Sequence, residues 1–198
     1  MTEAEQLEYE IMQKSAKLAE LRRAEAAEPV GPYSFDGPDG AVELAGLFGS
    51  KEHLLVIHNM GQGCRYCTLW ADGFNGILPH LEDAMAVVLV SKDAPGIQRR
   101  FANSRGWRFR MLSHGGGAYM TEQCVMGEHT NMPGAAVYGR KDGKVVRLGR
   151  TAFGPGDLYN PLWHLMSLGR RDHGDWVPQY GYWKRPEQLD DGGAGLVD

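Results

Sequence analysis

The sequence predicts an α/β fold in which a mixed sheet is flanked by helices, and three observations carry that prediction. Two compact apolar runs, 53–59 (HLLVIHN) and 84–91 (AMAVVLVS), are separated by a stretch that places Leu69, Trp70, Ile77, Leu78 and Leu81 at helical spacing. Parallel neighbours need such a crossover, and its hand is right-handed. Further on, 135–138 and 144–148 enclose Lys141-Asp142-Gly143, a turn that joins antiparallel strands. Finally, 198 residues with 42% hydrophobic content suffice for one core, about two-thirds of the unfolded surface being buried at this size.

Taken in order, residues 1–30 are an extra N-terminal helix. It is rich in Glu, Ala, Lys and Leu, with Leu7, Ile11, Leu18 and Leu21 on one narrow stripe that packs on the domain or on a second subunit. Pro29 and the Gly31-Pro32 pair end it. The domain proper covers 31–170. It opens with two short strands, 33–35 and 41–44, joined by a Gly-Pro-Asp-Gly turn at 37–40. After the second apolar run, Pro95 starts a short helix with Ile97 and Phe101 on one face, closed by Gly106. The glycine-rich stretch 107–130 reads as irregular. Past the hairpin, Asp157 caps a last helix that runs to Leu168. Residues 171–198 form a C-terminal extension, an arm carrying Trp176, Tyr180, Tyr182 and Trp183 and then a Gly/Asp tail from Asp190 expected to be disordered. A homodimer would form through the N-terminal helix or this arm.

Charge and composition exclude several classes of function. With 21 basic against 25 acidic residues the net charge is -4, and Arg22-Arg23, Arg99-Arg100 and Arg170-Arg171 are isolated pairs, not the clustered basic field that nucleic acid requires. The longest apolar run is too short to span a bilayer, and Glu3 and Glu5 stand where a signal peptide carries positive charge, so a cytoplasmic location is expected. Three cysteines, two of them three residues apart, do not make a secreted disulfide scaffold. Glycine is in excess, 27 of 198 being about twice the usual ~7%.

The chemistry centres on Cys64-Arg65-Tyr66-Cys67, which follows Gly61-Gln62-Gly63 at the end of the first buried strand and opens the crossover helix. Unpaired N–H groups and the positive end of the helix dipole stabilise a thiolate there, so Cys64 is expected to have a lowered pKa and to be the nucleophile. Cys64 would attack a protein or small-molecule disulfide, and Cys67, one turn deeper, would resolve the mixed disulfide by bridging to Cys64. Arg65 adds positive charge and Tyr66 flanks the pair; Trp70, three residues past Cys67, either walls the site or belongs to the core, where so large an aromatic is more often found. No dissociable cofactor is needed. The alternative is a zinc or copper site on the same pair, completed by Cys124 and His129, with His114 also within the downstream stretch.

The order strand, helix, strand, helix, insertion, hairpin, helix is that of a thioredoxin-like fold. In that fold a cis proline stands before the hairpin strand and faces the cysteine pair. Pro133 in Asn131-Met132-Pro133-Gly134 occupies the place, with the Met132 backbone positioned to receive an extended substrate. Only about 5–6% of X–Pro bonds are cis, so this assignment follows from the fold alone.

Several segments together resemble an uncharacterised bacterial family of thioredoxin-like proteins, a domain of unknown function. They are 63–74 (GCRYCTLWADGF), Leu78-Pro79-His80-Leu81, Gly106-Trp107-Arg108-Phe109, Met132-Pro133-Gly134-Ala135, and Leu162-Trp163-His164-Leu165 leading to Gly169-Arg170. The resemblance covers most of the chain and implies a fold and a site more than an activity. A wider likeness to the alkyl hydroperoxide reductase and peroxiredoxin branch lies in the early hairpin and in 108–113 (RFRMLS). A weak peroxidase is therefore a further alternative. The peroxidatic Pro-x-x-x-Thr-x-x-Cys pattern is not met: ending at Cys67 it would need Pro at Met60 and Thr at Cys64, and ending at Cys64 it would need Pro at Ile57 and Thr at Gly61.

Other signals are weaker. Gly61-Gln62-Gly63 begins a dinucleotide fingerprint, but Tyr66 fills the third glycine position. His114-Gly115-Gly116-Gly117 resembles an oxyanion loop with no Gly-x-Ser-x-Gly elbow to serve. His58 stands at the strand end as a hydrogen-bonded structural histidine or a neighbour of the thiols.

Overall fold

A computed structural model describes residues 1–182 and 189–196. The elements are helix α1 (Glu3–Ala24), strands β1 (Glu28–Pro29), β2 (Ser34–Gly37), β3 (Gly40–Glu43) and β4 (Leu54–His58), helix α2 (Arg65–Ala84) and strand β5 (Ala86–Ser91). Helix α3 (Pro95–Arg105), strand β6 (Arg110–Ser113), helix α4 (Ala118–Gln123), strands β7 (Gly134–Lys141) and β8 (Lys144–Ala152) and helix α5 (Pro161–Leu168) follow. Together the strands make an eight-stranded sheet in the order β1-β8-β7-β4-β5-β6-β2-β3. The three central strands β4, β5 and β6 are parallel; β7 and β8 on one side and β2 and β3 on the other run antiparallel.

The apolar runs become strands buried on both faces. In β4, Leu54 and Val56 face one core layer while Ile57 faces the other, and in β5 Val88 and Val90 alternate in the same way with Val87 and Leu89. The first layer is closed by Leu44, Leu47 and Phe48 of a 3-10 turn (Leu44–Phe48) and by Tyr119 of α4. The second is closed by Trp70, Ala71 and Leu78 of α2, Phe101 and Ala102 of α3, and Trp163 of α5.

Helix α2 carries Pro79 in its interior, which removes one N–H from the ladder. The carbonyl of Asn75 freed by it accepts from Arg108 Nη2 at 3.5 Å, and the Asn75 side chain pins the turn after α3 by accepting from Arg108 N–H at 2.8 Å. Nearby, Asp72 binds Arg105 in an ion pair and accepts from Trp107 Nε1 at 2.7 Å, so it holds α3 against α2.

Four expectations need correction. The stretch 107–130 is not wholly irregular: it holds β6, which continues the parallel sheet, and the short α4. Asp157 is not the cap of α5. Asn160 accepts from Leu162 N–H in that role, while Asp157 accepts from Gly154, Tyr159 and Asn160 N–H and ties the turn before the helix. Pro29 does not end the N-terminal helix, which stops at Ala24 with Glu25 as its cap; Glu28–Pro29 instead pairs with β8 as an edge strand. The tail from Asp190 is not loose among the described residues, because Tyr180 N–H donates to Gly192 O at 2.8 Å and Ala194–Leu196 forms a 3-10 turn. Trp183 of the arm and the last two tail residues lie outside the described residues. Trp176 and Tyr180 pack against the second core layer.

Helix α1 begins with a capping box between Thr2 and Glu5 and buries none of its residues; Leu7, Ile11 and Leu21 are each more than half exposed. Among the described residues, Arg22 ties it to the domain by donating to the Tyr159 hydroxyl at 3.0 Å. Among the described residues no helix is long and apolar enough to cross a membrane.

Two glycines give opposite expectations. At Gly134 a Cβ would meet the backbone carbonyl oxygen of Thr151 on β8, so Gly134→Ala should lose about 1–3 kcal/mol of stability. Gly76, on the exposed side of α2, has nothing within 4 Å of a Cβ, and Gly76→Ala should gain about 0.5–1 kcal/mol. Urea unfolding of both variants checks the pair of signs.

Candidate active site

The cysteine pair sits where β4 ends and α2 begins. Leaving β4, the chain turns through Gly61, whose φ of +121° suits glycine, and Cys64 N–H closes the turn onto Gly61 O at 3.0 Å. Asp93, in the loop after β5, templates this turn. Its Oδ2 accepts from Gln62 N–H at 2.7 Å, and its carboxylate fills the space that Gly61 leaves by lacking a Cβ. Ser91 and Gln98 hold Asp93 in turn: Ser91 Oγ accepts from Asp93 N–H at 3.2 Å and from Gln98 Nε2 at 2.8 Å.

Cys64 is the N-cap of α2, and its Sγ accepts from Cys67 N–H at 3.1 Å. Its carbonyl accepts from both Thr68 N–H and Thr68 Oγ1 at 3.0 Å, which locks the first helical turn. The two cysteines are bridged as a disulfide with Cα atoms 5.3 Å apart. They differ in access: Cys67 is 3% exposed and receives Met60 N–H at 3.5 Å, whereas Cys64 is half-buried and lines an open cleft.

Arg65 and Tyr66 line that cleft together with Lys92, Asp93 and Asn131. Trp70 does not. It is 3% exposed, stacks on Phe153 at 5.5 Å and meets Trp163 edge-on at 6.1 Å, inside the second core layer. Pro133 is buried next to the strand end from which the cysteine loop departs, because Gly134 pairs with His58 in the β7–β4 register. Met132 is half-buried and donates its N–H to Cys124 O at 2.8 Å.

Lys92, Asp93 and Asn131 escape a motif search. Asp93 and Lys92 follow a buried parallel strand, however, and loops at the carboxyl ends of such strands are where open α/β sheets bind ligands. Asn131 shows its role only in three dimensions, by a φ of +55° that a non-glycine residue adopts at a cost.

The metal alternative does not assemble. Cys124 is 2% exposed in the first core layer and burial pushes its thiol up to about 12, while His129 stands exposed on a turn bridged to Met126. Among the described residues no three His, Cys, Asp or Glu side chains gather as a set that could hold a metal ion.

Behind the cysteine loop a polar chain crosses the core. Arg147, ion-paired to Glu28, donates through Nη1 to Gln123 Oε1 at 2.7 Å, and the Tyr138 hydroxyl donates to the same oxygen at 3.2 Å. Gln123 Nε2 donates to the Tyr33 hydroxyl at 2.9 Å, which donates to Glu122 at 2.5 Å. Tyr119 and Tyr138 hydroxyls lie 3.0 Å apart, and His58 Nε2 lies 2.8 Å from the Tyr119 hydroxyl. Arginine can only donate, so it sets every direction in the chain. Tyr119 donates to Tyr138, and His58 bears its proton on Nε2.

Burial, aided by the neighbouring charges of His114, Arg150 and Arg147, lowers the His58 pKa to about 3. Burial likewise lowers His114 to about 4, against an opposing pull from Asp93, and its Nδ1 accepts from Gly116 N–H at 3.1 Å. Both imidazoles are neutral when folded, whereas in the unfolded chain they take up protons below about 6.5. The unfolded state then binds more protons, so stability is intact above about pH 6.5 and is lost as pH falls. The loss should approach about 1.4 kcal/mol per pH unit for each histidine, both acting down to about pH 4 and His58 alone to about 3. Urea midpoints measured between pH 7 and 4 check this, and His58→Gln should flatten part of the slope.

Residues 3–187 match the model of a family described as "Bacterial protein of unknown function (DUF899)". No curated protein matches the sequence. Among solved structures, a PrxQ mutant of Xylella fastidiosa is similar with a TM-score of 0.53 and 12% identity, over 74% of this chain and 94% of that one. Reduced Prx3 of Vibrio vulnificus in complex with hydrogen peroxide is similar with a TM-score of 0.52 and 12% identity, over 73% and 96%. These likenesses show a thioredoxin-like fold.

Proposed function

The chain belongs to the bacterial family of unknown function DUF899, and on that footing we propose that it is a thiol–disulfide oxidoreductase whose working groups are Cys64 and Cys67. The observation that carries this is the asymmetry of the bridged pair. The outer sulfur belongs to the cap of a helix and opens onto a cleft; the inner one is enclosed within the same turn. In the reduced state Cys64, at the positive end of α2, is the attacking thiolate. Its sulfur bonds to one sulfur of a substrate disulfide, and the other substrate sulfur leaves as a thiolate. Cys67 then attacks the Cys64 sulfur, re-forms the internal bridge and expels the second substrate thiolate.

Arg65 and Tyr66 shape the entry to Cys64. Met132 and Pro133 border the same strand end, but the Met132 N–H is engaged by Cys124 O and the Pro133 carbonyl by Phe153 N–H, so of the expected substrate-receiving backbone the Met132 carbonyl is what is left to meet a substrate. The partners are thiol or disulfide compounds, and a second copy of the chain would meet the exposed stripe of α1. The site needs no resident cofactor for this exchange.

The test is a pair of single-cysteine variants with a model disulfide and a reducing partner. Cys64→Ser should abolish mixed-disulfide formation, and Cys67→Ser should trap the mixed disulfide, detected as a mass adduct on Cys64. Full turnover by both variants would overturn the proposal.

A further inference from the structure

The side chains that line the cleft beside Cys64 carry two positive charges and one negative, in a chain whose net charge is -4. Its volume of about 420 Å³ is of the size that takes a small molecule. Two cations line it. Arg65 opens α2, and its side chain lies against Gly192, where it fills the space a Cβ would take. Lys92 stands exposed at the rim.

The first turn of α2 contains no acidic residue, and the N–H groups of Arg65 and Tyr66 have no acceptor among the described residues. They add the positive end of the helix dipole to the two side-chain charges. One carboxylate, Asp93, also lines the cleft. It is turned to the loop, with Oδ2 on Gln62 N–H and the rest of the group packed over Gly61, and its charge offsets one of the two cations. The side-chain charges in the cleft therefore sum to a cation, next to the sulfur that would be attacked.

We propose that this cleft selects low-molecular-weight disulfides that carry carboxylates, of amino-acid or short-peptide size, over neutral and cationic ones. The proposal rests on thiol–disulfide exchange at Cys64. A carboxylate placed between Arg65 and Lys92 brings its disulfide to Cys64. The Cys64 sulfur bonds to the near sulfur, the far half leaves as a thiolate, and Cys67 then displaces the near half. The substrate disulfide is thus reduced to two thiols while the protein dithiol is oxidised to the Cys64–Cys67 bridge.

Three disulfides of similar length separate charge from reactivity: 3,3′-dithiodipropionate, bis(2-hydroxyethyl) disulfide and cystamine. Pre-reduced, full-length protein is mixed with each, and the rate of bridge formation is divided by the rate of dithiothreitol with the same compound. The normalised rate for the dicarboxylate should exceed that for cystamine by about tenfold or more at low salt. The preference should collapse near 1 M salt, where the Debye length is about 3 Å. Lys92→Glu, at an exposed position that leaves the fold intact, should pull the ratio to about one or below. Equal normalised rates for the three compounds, or a ratio indifferent to Lys92→Glu, would overturn the charge selection alone. No bridge formation with any of them would overturn the thiol–disulfide chemistry itself.

Discussion

Strand β4 has a hydrogen-bonded neighbour on each side and an apolar layer on each face, and the site depends on that confinement. A strand so enclosed can continue only off the end of the sheet. The chain therefore leaves it in a tight turn over Asp93, and the next residues become the first turn of α2 with Cys64 as its cap. The same confinement sets what lies opposite. Because β7 pairs with β4 so that Gly134 meets His58, the Met132–Pro133 loop has to lie beside the cysteine turn. A glycine is required at 134, where β8 passes too close for any side chain.

Burying a strand end that finishes in histidine and asparagine creates a second demand. His58 and Asn59 are 4% and 6% exposed, and each is satisfied locally. Asn59 accepts Gly61 N–H at 2.8 Å, which helps shape the turn, and His58 enters the chain of tyrosines that ends on Gln123 and Arg147. The cost of burying Arg147 is met by Glu28 on β1, so a two-residue edge strand at the far side of the sheet completes a network whose other end lies under the cysteine turn. Such a network is directional. One donor-only group at its end fixes the proton position on an imidazole across the core.

Much of this was legible in the sequence because the informative signals are local. The runs around β4 and β5, the Cys-x-x-Cys at a helix start, Pro95 and Gly106 bracketing α3, and the Lys-Asp-Gly hairpin each carry their structure in a few adjacent residues. Where the signal is shared with distant partners, the chain alone misleads. Strand β6 is four residues just before the Gly115–Gly117 run, and its identity comes from pairing with β5. Trp70, one turn from Cys67, suits a site wall or the core on sequence grounds, and Phe153 and Trp163 from the other end of the chain decide for the core. Asp157 and Asn160 are both good capping residues three positions apart, and the turn geometry, which composition does not encode, assigns one to the loop and the other to α5. Asp93 and Asn131 reach the cleft from loops 29 and 67 residues past Cys64, distances over which only the folded sheet supplies the connection.

The third cysteine gives the molecule an internal clock for its own opening. Cys124 has the same chemistry as the working pair but sits at 2% exposure under Tyr119 and Tyr138. An alkylating reagent reaches it when the first core layer parts, so its modification follows the rate of opening and not the chemistry of the sulfur. In one sample, the pair reports on redox state and the lone thiol on how often the core breathes.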